Sequence, residues 1–305
     1  MAYVNPGKLF VDTFGAVTKP EDIYDYASFL RQEAGLTVDP PIDLNRIYQH
    51  FEIPLPGRVP LGVTQGVLWD YEAGIILIND DDPAKRQRFS EGHELMELLF
   101  AVLPKNQWDT RFDSKKRGNF KHSLKEHLCN RGSAELLMPR ESFLPYVELW
   151  GCSFNTARRL SELYDVSMAA ALVQAAYVTR EECAVVLFRY KNKPTEIRSK
   201  VAPEQIALLP KSEHELPSKK LRVEWSLAGP FIPPDKSVPA ESSIFTAWQT
   251  GKFTSGIDQL DLGSNMRGRL LCESQPFLKD DEMCVLSLVS KTAKFMEHAR
   301  DRHSP

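Results

Sequence analysis

One predicted helix of this chain carries the sequence Phe89-Ser-Glu-Gly-His-Glu-Leu-Met-Glu97. Side chains four residues apart lie on one face of an α-helix, so His93 and Glu97 can both reach a single point beside it. Glu94 is turned by about 100° from His93, because each residue of an α-helix adds that rotation. A single turn therefore presents two groups that can bind a metal ion and one carboxylate beside them.

This spacing follows the His-Glu-x-x-His motif, in which two histidines bind zinc and the glutamate acts as the general base. The second ligand position here is Glu97, and a glutamate oxygen is also a competent zinc ligand. A catalytic zinc needs a third protein ligand. Glu126 is the candidate, 32 residues after Glu94 on the next predicted helix. Glu94 is then predicted to activate the attacking water.

Ordinary structural roles fit the same residues. His-Glu pairs arise by chance on amphipathic helices, and Glu97 also suits a solvated helix position. Glu126 completes the sequence Ser123-Leu-Lys-Glu126, which is a capping box. Three carboxylates in one pocket repel each other, however, and a divalent ion relieves that repulsion. Local chemistry leaves the structural and the metal-binding interpretations both open.

Composition sets the class of protein. The chain has 305 residues, of which 42% are hydrophobic and 26% charged, which predicts a globular protein of two domains. A formal net charge of −3 gives no reason to expect nucleic acid as the main partner. Five scattered cysteines without a Cys-x-x-Cys pair favour a reducing compartment, so we expect a cytoplasmic protein. Residues 9–17, the longest apolar stretch near the N-terminus, predict neither a leader nor a membrane span.

Residue patterns predict a largely helical first part and a β-rich second part, with the change near residues 178–182. Between residues 53 and 80 the first part has strand and turn signals, with 74–79 the clearest strand, and its helices are predicted at 20–36, 43–50, 84–102, 123–138, 141–149, 156–164 and 167–177. The second part has predicted strands at 183–190, 221–227 and 283–289 and predicted helices at 243–249 and 289–300.

Residues 20–178 resemble the ImmA/IrrE family of bacterial regulatory metallopeptidases. The most specific likeness lies in the sequences Glu126-His-Leu-Cys-Asn130 and Ala134-Glu-Leu-Leu-Met-Pro139. Further matching segments come in the same order and spacing, at residues 27–35, 42–44, 74–79, 86–90 and 93–94. The resemblance covers about half of the chain.

The resemblance implies an α+β fold in three parts. We expect a minimal zincin-like metallopeptidase domain over residues 1–145 and a helix-turn-helix-like helical segment over 146–180. A C-terminal α+β regulatory or sensor domain is expected over 181–305, of the size of the GAF-like domain that some family members carry.

The same resemblance implies a function. His93 matches the family's first zinc ligand, Glu94 its catalytic glutamate and Glu126 its third ligand. The family cuts a helix-turn-helix transcriptional repressor and so releases genes for stress response or mobile-element transfer. The alternative is a weak or inactive member that binds a protein or senses a ligand, because Glu97 stands where the family has its second histidine.

Glu97 changes the charge expected at the metal. A histidine and two carboxylates give zero net charge with a divalent ion, whereas two histidines and one carboxylate give +1. The ion would then be a weaker Lewis acid. We expect Zn²⁺, with Mn²⁺ or Fe²⁺ as alternatives that suit the oxygen ligands.

Two further signals have functional and ordinary interpretations. His122 and His127 flank Glu126, and either is a candidate to stabilise the transition state, although exposed helix-start residues fit equally well. Residues 153–176 fit a helix-turn-helix, but Gln174 is the only residue of its second helix suited to reading bases. We therefore expect packing or protein docking there, and no direct binding of nucleic acid.

Overall fold

The computed structural model describes residues 3–15, 17–104, 124–194, 219–263, 265–279 and 281–291. The chain divides into two compact units, which meet in sequence between Thr179 and Arg180. Among the described residues, no helix has the length and apolar character needed to cross a membrane. His122 and Ser123, the first residue of the predicted capping box, lie outside the described residues.

The N-terminal unit combines helices with a small mixed sheet. Its described elements are, in chain order, α1 (Pro6–Phe14), α2 (Asp22–Glu33), α3 (Leu44–His50), β1 (Gly57–Val59), β2 (Gly66–Asp70), β3 (Ile75–Asn79), α4 (Ala84–Phe100), α5 (Leu124–Leu137), α6 (Arg140–Trp150), α7 (Phe154–Leu163) and α8 (Met168–Val178). The strand order is β1-β3-β2, with β1 parallel and β2 antiparallel to the central strand.

Polar side chains at the helix starts explain where several of these helices begin. The Asn5 side chain accepts a hydrogen bond from the backbone N–H of Lys8 at 3.0 Å, and Pro6 opens the first turn. An Asn cap followed by proline is a helix-start signal, yet none of the helices predicted from the sequence includes residues 6–14. Further side-chain caps start α3, α7 and α8, from Asp43, Ser153 and Ser167.

Small residues bring α4 and α5 into close contact. A Cβ added to Gly132 would lie 2.5 Å from Met96 Sδ and 2.6 Å from Ile23 Cγ1, and one added to Gly92 would lie 2.6 Å from Ser133 Oγ. Ser133 Oγ donates a hydrogen bond to the carbonyl of Phe89 at 2.9 Å. The two helices therefore approach each other closely at Gly132 and Ser133.

The helix-turn-helix-like segment buries the residue that was considered for base reading. Gln174 in α8 is 1% exposed. Its Nε2 donates to the carbonyl of Met138 at 3.2 Å, and its Oε1 accepts from Arg131 Nη1 at 3.1 Å. Gln174 therefore ties α8 to the rest of the N-terminal unit and is not available to contact a base.

The C-terminal unit is an antiparallel sheet with one described helix. Its elements are β4 (Cys183–Lys191), β5 (Lys220–Leu227), α9 (Ser243–Thr250), β6 (Thr254–Asp261), β7 (Arg267–Lys279) and β8 (Glu282–Lys291). The strands run in the order β5-β4-β8-β7-β6, and Phe245 and Trp248 of α9 pack on the core of this unit. The helix predicted over 289–300 is wrong at residues 289–291, which continue β8; residues 292–300 lie outside the described part.

We predict that Gly132→Leu destabilises the N-terminal unit. The new side chain has to displace Met96 and Ile23, so the free energy of unfolding is expected to fall by about 3 kcal/mol. Chemical denaturation followed by circular dichroism measures this change. Ala169→Leu, at an exposed position of α8, adds the same side chain and should leave the stability nearly unchanged. Equal stabilities of the two variants would contradict the close helix contact.

Candidate metal centre

Helices α4 and α5 bring two predicted carboxylate ligands close to His93. His93 Nε2 lies 3.9 Å from Glu97 Oε1 and 3.5 Å from Glu126 Oε2. Ligand atoms about 2.1 Å from a tetrahedral ion lie about 3.4 Å from one another. The separations from His93 are thus close to what one divalent ion needs, and the imidazole and carboxylates form a donor set that fits such an ion.

Asn130 orients the imidazole ring. Its Oδ1 lies 3.1 Å from His93 Nδ1. An amide oxygen only accepts hydrogen bonds, so a neutral His93 carries its proton on Nδ1 and leaves the lone pair of Nε2 free. That lone pair is on the nitrogen that faces Glu97 and Glu126. Asn130 is part of the sequence that carries the family resemblance, but the sequence analysis gave it no role.

Glu94 is buried between α4 and strand β2. Only 5% of it is exposed, and it accepts a hydrogen bond from the backbone N–H of Leu68. Gly66 leaves room for it, because a Cβ there would lie 2.9 Å from Glu94 Oε1. Burial raises the pKa of Glu94 to about 7, against the opposing charge of His93 and with the help of Glu97 and Glu126. A carboxyl group with a pKa near neutrality is suited to accepting and returning a proton.

The charges around His93 also alter its own titration. Burial acts to lower the pKa of His93, but the hydrogen bond to Glu126 and the negative charges of Glu94, Glu126 and Glu97 outweigh burial and raise it. The cluster of His93 and the three carboxylates therefore favours a positive charge at its centre. A divalent ion supplies such a charge.

Two residues that the sequence analysis did not assign to the site contact Glu97. Lys125 Nζ donates to Glu97 Oε2, and the thiol of Cys129 donates to Glu97 Oε1 at 3.5 Å. The ligand atoms of His93, Glu97 and Cys129 all lie within 4.8 Å of one another. Cys129 follows Glu126 by three residues, and this one-turn spacing was the signal available in the sequence. Burial first, and then the charge of Glu97, raise the pKa of Cys129 well above its ordinary value.

The two histidines considered for transition-state stabilisation remain predictions. His127 lies in the first turn of α5 and is half-buried. His122 lies outside the described residues.

Comparison with known proteins assigns the domain. Residues 58–175, which include both helices of the site, match the family of IrrE N-terminal-like domains. We refer to this part of the chain as the IrrE-like domain. The ImmA/IrrE resemblance inferred from the sequence is therefore confirmed.

Two known proteins are similar to this chain, one in sequence and one in fold. The radiation response metalloprotease IrrE of Deinococcus deserti is 31% identical over 118 residues, which are 39% of this chain and 41% of that protein. The match therefore spans less than half the length of that relative. A transcriptional regulator of Mycobacterium tuberculosis has a similar structure, with a TM-score of 0.57 at 10% identity over 97% of this chain and 82% of that one. At this identity the likeness concerns the fold alone.

We predict that Asn130→Ala changes the tautomer of His93 in the IrrE-like domain. Loss of one hydrogen bond is expected to shift the tautomer ratio about fivefold towards the Nε2–H form. Long-range ¹H–¹⁵N correlation spectra of histidine-labelled protein, recorded where the ring is neutral, measure this ratio. The signals of His50, at the end of α3, serve as the internal control. A wild-type His93 protonated on Nε2 would contradict the role of Asn130.

Proposed function

We propose that the IrrE-like domain is a metal-dependent endopeptidase. One observation carries this proposal: Glu97 Oε1 and Glu126 Oε2 both approach the same nitrogen, His93 Nε2, at 3.9 and 3.5 Å. Glu94, the neighbour of His93, supplies a buried carboxyl group at the same place. The membership of residues 58–175 in a peptidase family supports the assignment.

The metal would be held by His93, Glu97 and Glu126, with Zn²⁺ as the first choice and Mn²⁺ or Fe²⁺ as alternatives. When bound, it supplies Lewis-acid activation of the scissile carbonyl and of the attacking water. Glu94 takes a proton from that water as it attacks the carbonyl carbon. The same carboxyl group then gives the proton to the leaving amine nitrogen. The N–H of Leu68 holds the carboxylate in place for both transfers.

Glu126 is the better third ligand than Cys129. The Cys129 thiol is fully buried and donates a hydrogen bond to Glu97 Oε1, so it is already engaged with another ligand. The side chain of Glu126 is 39% exposed and can reorient towards an ion. In this proposal Cys129 supports Glu97 by donating to Oε1.

The edge of β2 is our proposed site for the substrate backbone. Among the described strands of the sheet, β2 has a neighbour on one side only. Leu68 of this strand contacts Glu94 through its N–H, and Trp69 beside it is 70% exposed. An extended peptide that adds to a strand edge is held by backbone hydrogen bonds, and on β2 it would run past Glu94.

From the family resemblance, we propose a helix-turn-helix repressor as the substrate and derepression of stress or mobile-element genes as the consequence.

The C-terminal unit is proposed to regulate this activity as a GAF-like sensor. It contains a cleft of about 750 Å³ lined by Tyr190, Lys220, Phe245 and Arg267, among others.

The assigned metal and base residues all lie in the N-terminal unit. A variant that ends at Arg180 is therefore expected to bind metal with the same stoichiometry as the full chain, once its folding has been confirmed by circular dichroism.

Removal of His93 or of Glu126 should weaken metal binding. We expect His93→Ala and Glu126→Ala to lower the affinity for Zn²⁺ by at least about 100-fold, because two ligands do not make a stable site. Competition with a chromophoric chelator measures the affinity. Cys129→Ser and Glu162→Ala, the latter at an exposed position of α7, are the matched controls and should bind as wild type does. Weak binding by Cys129→Ser beside normal binding by Glu126→Ala would make Cys129 the third ligand.

Cleavage should depend on Glu94. Co-expression with helix-turn-helix regulators encoded nearby is expected to give one discrete product, and Glu94→Gln should slow its formation by about 10²–10⁴-fold, since the amide cannot accept the proton. Gel electrophoresis and mass spectrometry identify the product.

Glu162→Gln provides the control for this measurement. A product that forms equally fast with Glu94→Gln would come from another protease. Normal metal binding without cleavage of any tested regulator would instead favour the binding or sensing alternative.

A further inference from the structure

The two carboxylate oxygens of Glu97 have different surroundings. Oε1 faces His93 Nε2 at 3.9 Å and accepts the hydrogen bond of the Cys129 thiol at 3.5 Å. Oε2 accepts a hydrogen bond from the ammonium group of Lys125. Glu97 therefore presents one oxygen to the proposed metal position and has the other bound to a cation.

This ion pair is sheltered from solvent. The side chain of Glu97 is 13% exposed and that of Lys125 is 29% exposed. At such burial the charges are screened much less than on an open surface, so each affects its neighbours over several ångströms. The partner of the Lys125 ammonium group is the Glu97 carboxylate, and this pairing favours the charged form of the lysine.

The pair changes the charge count of the site. A neutral His93 with Glu97 and Glu126 carries −2, and Lys125 brings the total to −1. Two histidines and one carboxylate also carry −1. The earlier expectation of zero net charge with a divalent ion omitted Lys125, and with Lys125 included the loaded site has +1.

We propose that Lys125 is a positioning residue that makes Glu97 equivalent to a neutral, single-donor ligand such as histidine. The inference rests on the proposed metal centre and adds a role for Lys125 within it. Lys125 fixes Glu97 through Oε2, so that Oε1 alone is offered to the ion. It also cancels the extra negative charge that Glu97 introduces, which preserves the Lewis acidity of a site with two histidines.

An alternative is that Lys125 takes the place of the ion and blocks the site. The contact geometry argues against this, because the ammonium group binds Oε2, whereas Oε1 is the oxygen that pairs with His93. The two interpretations also predict different affinities when Lys125 and Glu97 are changed together.

The test is the Zn²⁺ affinity of four full-length proteins: wild type, Lys125→Met, Glu97→His and the double variant. If Lys125 offsets the charge of Glu97, Lys125→Met binds Zn²⁺ more tightly than wild type by about 10-fold or more, because the loss of a nearby positive charge outweighs the looser placement of Glu97. Glu97→His alone binds more weakly by a similar factor, because Lys125 is left unpaired beside the ion. The double variant has the wild-type charge and binds within about fivefold of wild type.

Three controls separate this effect from a structural one. Lys8→Met removes an exposed lysine from α1 and should not change the affinity. Lys125→Arg keeps the charge and should restore near wild-type binding. Melting temperatures confirm that each variant is folded, and a folding defect would weaken binding by Lys125→Met, opposite to the expected direction.

The outcomes are distinct. A double variant that binds much more tightly than wild type would show that Lys125 blocks the site, and unchanged binding by Lys125→Met would show that it has no influence; either result overturns the inference. If none of the four proteins binds Zn²⁺, the proposed metal centre itself is wrong.

Discussion

Helices α4 and α5 approach each other so closely that a glycine or serine is required where they meet. Gly92 lies against Ser133, Gly132 lies against Met96, and the Ser133 hydroxyl bonds the carbonyl of Phe89. One helix carries His93 and Glu97, and the other carries Glu126 and Asn130. A wider separation, as larger side chains would impose, would pull these groups apart. The small-residue contact is therefore the constraint on which the site geometry depends.

The helix contact concentrates like charges, and the site contains the groups that balance them. Glu94, Glu97 and Glu126 all act on the titration of His93. Burial raises the pKa of Glu94 to about 7, while Glu97 has Lys125 as a partner. Charges brought together out of water are tolerated when each is paired or hydrogen-bonded. A bound cation would complete this balance and lower the pKa of Glu94, so that its carboxylate is available as a base.

The sheet of the N-terminal unit contributes to the same place from the other side. Gly66 makes room for the Glu94 carboxyl, and the N–H of Leu68 bonds it. The Glu94 side chain thus links the edge strand β2 to the cluster of candidate metal ligands on α4 and α5. The C-terminal unit has its own core and an antiparallel sheet.

Periodicity in the sequence determined the helices of the N-terminal unit and the placement of His93, Glu94 and Glu97 on one turn, because i, i+4 geometry is local. The sequences around Glu126 and Asn130 identified the family. Helix α1 was missed although Asn5 and Pro6 signal its start, and residues 289–291 were assigned to a helix because an apolar run fits either structure. The contacts of Glu97 with Lys125 and Cys129, and of Glu94 with Leu68, were decided only by the tertiary structure. They join residues on different elements, and the charge and pKa of each group depend on neighbours that no local pattern specifies.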